Sequence, residues 1–412
     1  MTGTAPRGHA PHPFFTVGAH GLLVAGQTLG ELAVRVGRTP FYAYERAAID
    51  ARISAVRAAL PREVHLHYAI KANPLPEVVK HIAGQVDGLD VASVAELRVA
   101  LAAGAPVQEV SFAGPGKTDL ELEEAARAGI LINVESEREL HVLSRLAPRL
   151  PGKPRVAIRV NPDFELKTSG MKMGGGPKPF GIDAERVPET LAMLARMPLQ
   201  FEGFHIFSGS QNLQAAAIAE AQRNAVALAA RLASAAPAPV RVLNLGGGFG
   251  IPYFPGEVPL DLKEVAAGMR ELVAQRPPAL RDSQYTVELG RYLIGEAGIY
   301  VCRVIDRKIS RGQVFLVTDG GLHHHLAASG NFGQVLRKNY PVLIGTRPAD
   351  SATEVASVVG PLCTPLDLLA DRAVMSRAEP GDLVVVLQSG AYGRSASPLG
   401  FLSHPAPTEI LV

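Results

Sequence analysis

Two hydrophobic periods alternate along the chain. Short runs rich in Val, Ile, Leu and aromatic residues predict strands, and the Ala/Leu/Glu stretches between them carry the i, i+3, i+4 spacing of amphipathic helices. The strand candidates are VHLHYAIK (64–71), GLDVAS (88–93), EVSFAG (109–114), GILINVES (129–136), RVAIRVN (155–161), FEGFHIFSGS (201–210), VRVLNLGGG (240–248) and YTVELGR (285–291). Helix candidates such as 93–104 and 118–129 open on Ser or Thr and close on Gly, as capped helices do. Eight strands alternating with helices is the count for a (β/α)8 barrel, with a doubly wound open sheet as the competing arrangement.

After residue 291 the pattern changes. GIYVCRVIDRKI, GQVFLVTDGG, ATEVASVVGPLC and GDLVVVLQSGAYG are β-rich, separated by turns and almost free of helical spacing. They predict an antiparallel β domain over 292–412, after a barrel over 37–291. Residues 1–36 read as a Pro/Gly/His-rich tail followed by a segment, 14–36, that lends a strand to the β domain.

Composition narrows the class. Of 412 residues 47% are hydrophobic and 19% charged, with a formal net charge of +2, which gives no electrostatic footprint for nucleic acid. No apolar run is long enough to span a membrane, and the two cysteines, Cys302 and Cys363, are too few for a disulfide scaffold, so a cytoplasmic setting is the expectation.

In a barrel the C-terminal strand ends face the active site. That rule selects Lys71, Asp90, Arg159 with Asn161, His205 with Ser208, Gly246 to Gly248, and Glu288 with Arg291. Lys71 stands where one more apolar residue is expected. A strand-end lysine ordinarily reaches solvent; the alternative is a Schiff-base lysine, desolvated so that its amine is nucleophilic. Three glycines after a strand either make a tight turn or offer bare N–H groups to a phosphate. Glu288 and Arg291 are either a surface pair or a carboxylate for a heteroaromatic nitrogen beside a phosphate-binding arginine. His205 is either a core histidine or one that stacks on a flat ring. Tyr392, between small residues in SGAYGRS, suits a hydroxyl aimed at a ligand. His323, His324 and His325 invite a zinc reading, but neighbours in an extended strand point to opposite faces, so no metal is assigned.

The order of these motifs is more specific than any one of them. YAIKANP, GLDVASVAEL, FHIFSGS, LGGGFG, ELGR, GPLC and GAYG, spread over residues 38–400, resemble the fold-type III pyridoxal-phosphate decarboxylases of diaminopimelate, ornithine and arginine. The resemblance implies an alanine-racemase-like barrel with a β domain. It implies that Lys71 carries pyridoxal 5'-phosphate, that Glu288 pairs with the pyridine nitrogen, and that His205 stacks on the ring. Ser208, Gly246, Gly247, Gly248, Arg291 and Tyr392 would hold the phosphate, and Asp90 and Arg159 would line the site. It further implies a head-to-tail homodimer in which Cys363 enters the partner's site and returns a proton to Cα.

Departures narrow the substrate. Diaminopimelate and ornithine enzymes carry Glu or Asp after the loop cysteine, and this chain has Thr364. Where diaminopimelate enzymes place a substrate-binding Arg and Tyr it has Ala327 and Asn331. The insertion TSGMKMGGGPKPFGID (168–183) is similar to that of decarboxylases of exopolysaccharide gene clusters, and of those acting on a carrier-protein-tethered glutamyl group. The expected substrate is thus an amino acid or an aminoacyl carrier protein, with diaminopimelate as the alternative. A racemase is disfavoured by Glu288, because such racemases place Arg at the ring nitrogen.

Overall fold

The computed structural model describes residues 8–165, 171–172 and 174–412. Its chain falls into two compact units, one of residues 53–251 and 260–290, the other of residues 1–52, 252–259 and 291–412.

The first unit is the barrel. Its strands are β1 (Val64–Ala69), β2 (Gly88–Val91), β3 (Val110–Phe112), β4 (Leu131–Val134), β5 (Arg155–Asn161), β6 (Gln200–Ile206), β7 (Val242–Gly247) and β8 (Gln284–Leu289). Each pairs in parallel with the next, and β8 closes on β1. The predicted helices follow with the expected caps: Ser93 caps Val94–Ala102, and Thr118 with Glu121 forms a capping box on Asp119–Ala128, which ends at left-handed Gly129. Closure excludes the open sheet.

Paired residues in a parallel ladder share a face, so the register defines what lines the barrel. His67 pairs with Gly88 and Glu288; Asp90 pairs with Ser111, Arg159 with His205, His205 with Asn244, and Asn244 with Thr286. All of these belong to one face, while Leu66, Tyr68, Leu89, Phe112, Ile158, Phe204, Leu243 and Val287 occupy the alternate positions and are buried. The interior of this barrel is polar. That is costly unless the groups bond one another, and several do, although His67 Nε2, Asp90 Oδ2, Asn133 Oδ1, His205 Nδ1 and Thr286 Oγ1 have no partner among the described residues. Asn133 donates to Ser111 at 3.2 Å, Ser111 donates to Asp90, and Asp90 meets His67 Nδ1 at 3.3 Å.

The second unit is built on a mixed sheet. Strands β9 (Gly298–Ser310), β10 (Gln313–Thr318), β11 (Val342–Ile344), β12 (Thr353–Val359), β13 (Leu368–Ser376) and β14 (Leu383–Val386) lie in the order β11-β14-β9-β10-β12-β13. Pairing is antiparallel except between β10 and β12. The strand lent from the N-terminal region is Phe41–Tyr44, which the sequence places with the barrel. It pairs with β9 and with Thr408–Leu411. Its four residues are all buried, so it has no polar face, and alternation gave no hint of its sheet. The 17–28 stretch instead forms its own three-stranded sheet, with Leu22, Val24 and Leu29 packed against Phe41, Ile299, Val301 and Val385.

The three histidines occupy turns, not a strand, so the alternation argument against a shared ion has the wrong premise. All three are buried, and His324 and His325 are held by separate partners. His324 Nε2 meets the Pro405 carbonyl oxygen at 2.9 Å and His325 Nε2 meets Ser389 Oγ at 2.9 Å, while the His323 ring lies 3.7 Å from that of His324. Burial presses the pKa of His323 and of His325 down to about 3, so both are neutral packing groups. Among the described residues no helix is long and apolar enough to cross a membrane.

Candidate active site

Strand β1 ends at Ala69, and one 3-10 turn over Ile70–Ala72 carries Lys71. Ile70 and Ala72 are buried and anchor the turn, and the lysine between them is exposed. The chain's own atoms therefore leave this amine open to solvent rather than desolvated. Its Nζ lies 5.9 Å from the Phe207 ring centroid, and its charge acts on Glu288.

Glu288 stands near the end of β8, fully enclosed. His205 Nε2 is 3.3 Å from its Oε1, and Asn244 Nδ2 donates to Oε2 at 3.3 Å. Burial alone would raise the pKa of this carboxyl. His205, Lys71 and Arg159 outweigh it and hold the group below the usual carboxylate range. Glu288 is a charged acceptor held in the buried interior of the barrel. His205 Nδ1 has no hydrogen-bond partner among the described residues, and neither does Asp90 Oδ2.

Arg159 is buried and donates to Glu135 Oε1 at 2.7 Å, with Phe180 across its guanidinium face. The sequence reading missed Glu135, which also accepts from the Gly114 and Gly181 N–H groups. Behind it, Lys117 makes a buried pair with Glu139 at 3.0 Å. Asn161 ties down the insertion: Gly175 N–H donates to its Oδ1, and its Nδ2 donates to the Gly176 carbonyl oxygen. Residues 166–170 and 173, within or beside the insertion, lie outside the described residues. Met171–Lys172 pairs with Gly209–Ser210, the loop after β6 that bears Ser208.

That loop faces the glycines. Asn212 N–H donates to the Gly248 carbonyl oxygen at 2.9 Å, and Gly250 N–H donates back to Asn212 at 2.9 Å. Gly246 and Gly248 have φ of +65° and +76°, where a side chain is strained. A Cβ on Gly248 would overlap the Gly209 carbonyl, and one on Gly247 the Glu288 carbonyl. The glycines are thus demanded by close backbone approach, the setting in which backbone N–H groups can face an anion. Gly248→Ala is expected to cost about 1–3 kcal/mol and to weaken pyridoxal-phosphate retention. Thermal unfolding and cofactor titration check this. Gly152→Ala, where a Cβ would meet nothing within 4 Å, should leave both unchanged.

Arg291 and Tyr392 belong to the β unit and come together there. The guanidinium carbon is 4.8 Å from the Tyr392 ring centroid, and Nη1 donates to the Tyr253 hydroxyl at 3.0 Å. Tyr392 has φ +53°, a conformation that non-glycine residues rarely adopt. Tyr253, at the end of the glycine stretch, was not anticipated, because a tyrosine in a Gly/Pro loop carries no periodic signal. Cys363 is exposed in the turn before Thr364, whereas Cys302 is buried with its thiol pKa pushed up by desolvation.

An amine at a strand end, a buried ionised carboxylate, a histidine with one unsatisfied nitrogen and a glycine cradle suit a pyridine ring bearing a phosphate. Comparisons with known proteins agree. The profile of the pyridoxal-dependent decarboxylase family, pyridoxal binding domain, matches residues 46–295. The chain is 38% identical over 379 residues to L-glutamyl-[BtrI acyl-carrier protein] decarboxylase of Niallia circulans, covering 90% of this chain and 88% of that protein. It is 33% identical to diaminopimelate decarboxylase of Aquifex aeolicus, covering 95% and 90% of the two chains. The crystal structure of Helicobacter pylori diaminopimelate decarboxylase complexed with L-lysine superposes with a TM-score of 0.81 at 27% identity, covering 93% and 94%. The chain belongs to the fold-type III pyridoxal-dependent decarboxylases and is a pyridoxal-phosphate-dependent carboxy-lyase.

Proposed function

We propose that this enzyme removes the α-carboxylate of a glutamyl group tethered to a carrier protein. The observation that carries the reading is the absence of charge where the family reads a substrate's distal group. Thr364 is half-buried and its hydroxyl accepts from the Leu366 N–H. Ala327 is buried, and the Asn331 side-chain amide is taken up by Ser329 Oγ at 2.8 Å. A site without a distal carboxylate or guanidinium has little to hold a free dibasic or zwitterionic tail, and a tethered substrate supplies binding energy through its carrier instead. The 38% identity to a carrier-protein glutamyl decarboxylase supports the same reading. So does the placement of Met171–Lys172 along Gly209–Ser210, which sets the insertion beside the active-site end of β6.

Bound in this site, pyridoxal phosphate supplies the electron sink for Cα–carboxylate cleavage. Lys71 would hold it covalently and exchange with the substrate amine. Glu288 would keep the ring nitrogen protonated, and His205 would lie against the ring, its Nε2 anchored on Glu288. Ser208, Gly247 and Gly248 would offer the phosphate O–H and N–H donors, joined by Arg291 and Tyr392, while Gly246, whose N–H is taken by Asn244 Oδ1 at 2.8 Å, would shape the turn beneath it. Asp90 and Arg159 would line the pocket, Arg159 being held in place by Glu135. A second copy of the chain, paired head to tail, would bring its Cys363 to return the proton to Cα. The protein would work in the cytoplasm.

CO2 release from glutamyl-carrier protein, free glutamate and meso-diaminopimelate tests the substrate. The tethered substrate should exceed either free amino acid by about 10² or more in kcat/KM. Efficient turnover of meso-diaminopimelate would overturn the reading.

A further inference from the structure

Outside this site the barrel holds a second cluster of chemistry-bearing side chains, at the opposite, N-terminal end. His65 and His67 stand two residues apart on β1 and so share its inner face. Glu109 lies immediately before β3, two strands away. Between them runs β2, whose residue at this level is Gly88, the partner of His67. A Cβ there would sit 2.5 Å from His67 Nε2 and inside the Glu109 carbonyl. The missing side chain is what lets the imidazole reach across β2.

His65 Nδ1 is 3.4 Å and His67 Nε2 3.5 Å from the same carboxylate oxygen, Glu109 Oε2. All three ligand atoms lie within 4.8 Å of one another. Tetrahedral zinc with bonds near 2.0–2.1 Å spaces its ligands about 3.3 Å apart. His67 is more than nine-tenths buried, and its Nε2 has no hydrogen-bond partner among the described residues. Its other nitrogen faces Asp90 Oδ1 at 3.3 Å. A carboxylate behind one ring nitrogen and an open position at the other is the arrangement that fixes a metal-bound histidine.

We propose that His65, His67 and Glu109 bind a divalent metal ion, zinc by their chemistry, with Asp90 as the positioning residue behind His67. Two imidazoles and one carboxylate leave a fourth position for water. His65 and Glu109 are each about a third exposed, which provides both that position and a path of entry. The Gln284 amide, which meets His65 Nδ1, turns aside when the ion enters. The ion joins β1 to β3 at the end remote from Lys71, the face of a barrel where conserved groups serve stability rather than chemistry.

The test uses holoenzyme dialysed against a chelator and titrated with zinc, then with cobalt as a spectroscopic probe. One zinc per chain should bind, cobalt should give the visible bands of a four-coordinate site, and the unfolding midpoint should rise by about 5 °C at a hundredfold excess over Kd. His65→Ala and Glu109→Gln, checked for folding by circular dichroism, should lose the bound equivalent and the shift. His20→Ala, at an exposed histidine elsewhere, should keep both. Wild-type protein binding no zinc below about 10 µM, or either variant retaining it, would overturn the proposal.

Discussion

Lys71→Ala is expected to yield a colourless protein with the fold intact. Wild-type holoenzyme should absorb near the edge of the visible through its lysine-bound cofactor, and the variant should lose that band even after incubation with excess pyridoxal phosphate. Turnover should fall on the order of 10³-fold or more, some 4 kcal/mol of barrier. The structure makes this a clean experiment. The Lys71 side chain is exposed, while Ile70 and Ala72 on either side are buried and hold the 3-10 turn in place. Truncating an exposed side chain away from the core shifts stability by only about 0.5 kcal/mol. Loss of colour and activity with an unchanged apoenzyme unfolding midpoint therefore isolates the chemical role. A variant that keeps the band, or more than a tenth of the activity, would remove Lys71 from the reaction.

Much of this was legible in the sequence because a (β/α)8 barrel writes its strands as separate short runs with helix caps between them. All eight strand candidates overlap observed strands, and Ser93, Thr118 and Gly129 act as the caps their residue types suggest. What stayed hidden is what depends on neighbours distant in the chain. Phe41–Tyr44 is buried on both faces, so alternation could not say which sheet it enters. Glu135 and Asn244 became visible as partners of Arg159 and Glu288 only when β4 and β7 were placed beside them. The exposure of Lys71 follows from the single turn that ends β1, a detail below the resolution of hydrophobic periodicity. The His-x-His pair was in plain sight at 65 and 67. Its third ligand lies some forty residues on, reached across a glycine that reads as an ordinary strand end.

Glu288→Gln separates chemistry from architecture at the buried carboxylate. Glutamine preserves the volume and can still accept from Asn244 Nδ2, now 3.3 Å from Oε2, so packing in the barrel changes little. What disappears is the charge that His205, Lys71 and Arg159 stabilise against burial. A neutral amide cannot hold a proton on the pyridine nitrogen, and the ring becomes a poorer acceptor for the electrons of the breaking Cα–carboxylate bond. The variant should therefore bind pyridoxal phosphate and keep its colour, with KM near the wild-type value and kcat lower by about 10²–10³, as for loss of one preorganised charged group. If Glu288 served only to seat His205, the same substitution would lower the unfolding midpoint and leave kcat almost untouched. His205 Nε2 is 3.3 Å from Glu288 Oε1, so that rival is a physical one. Measuring kcat, KM and the unfolding midpoint on one preparation decides between them. A kcat within about threefold of wild type would take Glu288 away from the ring nitrogen.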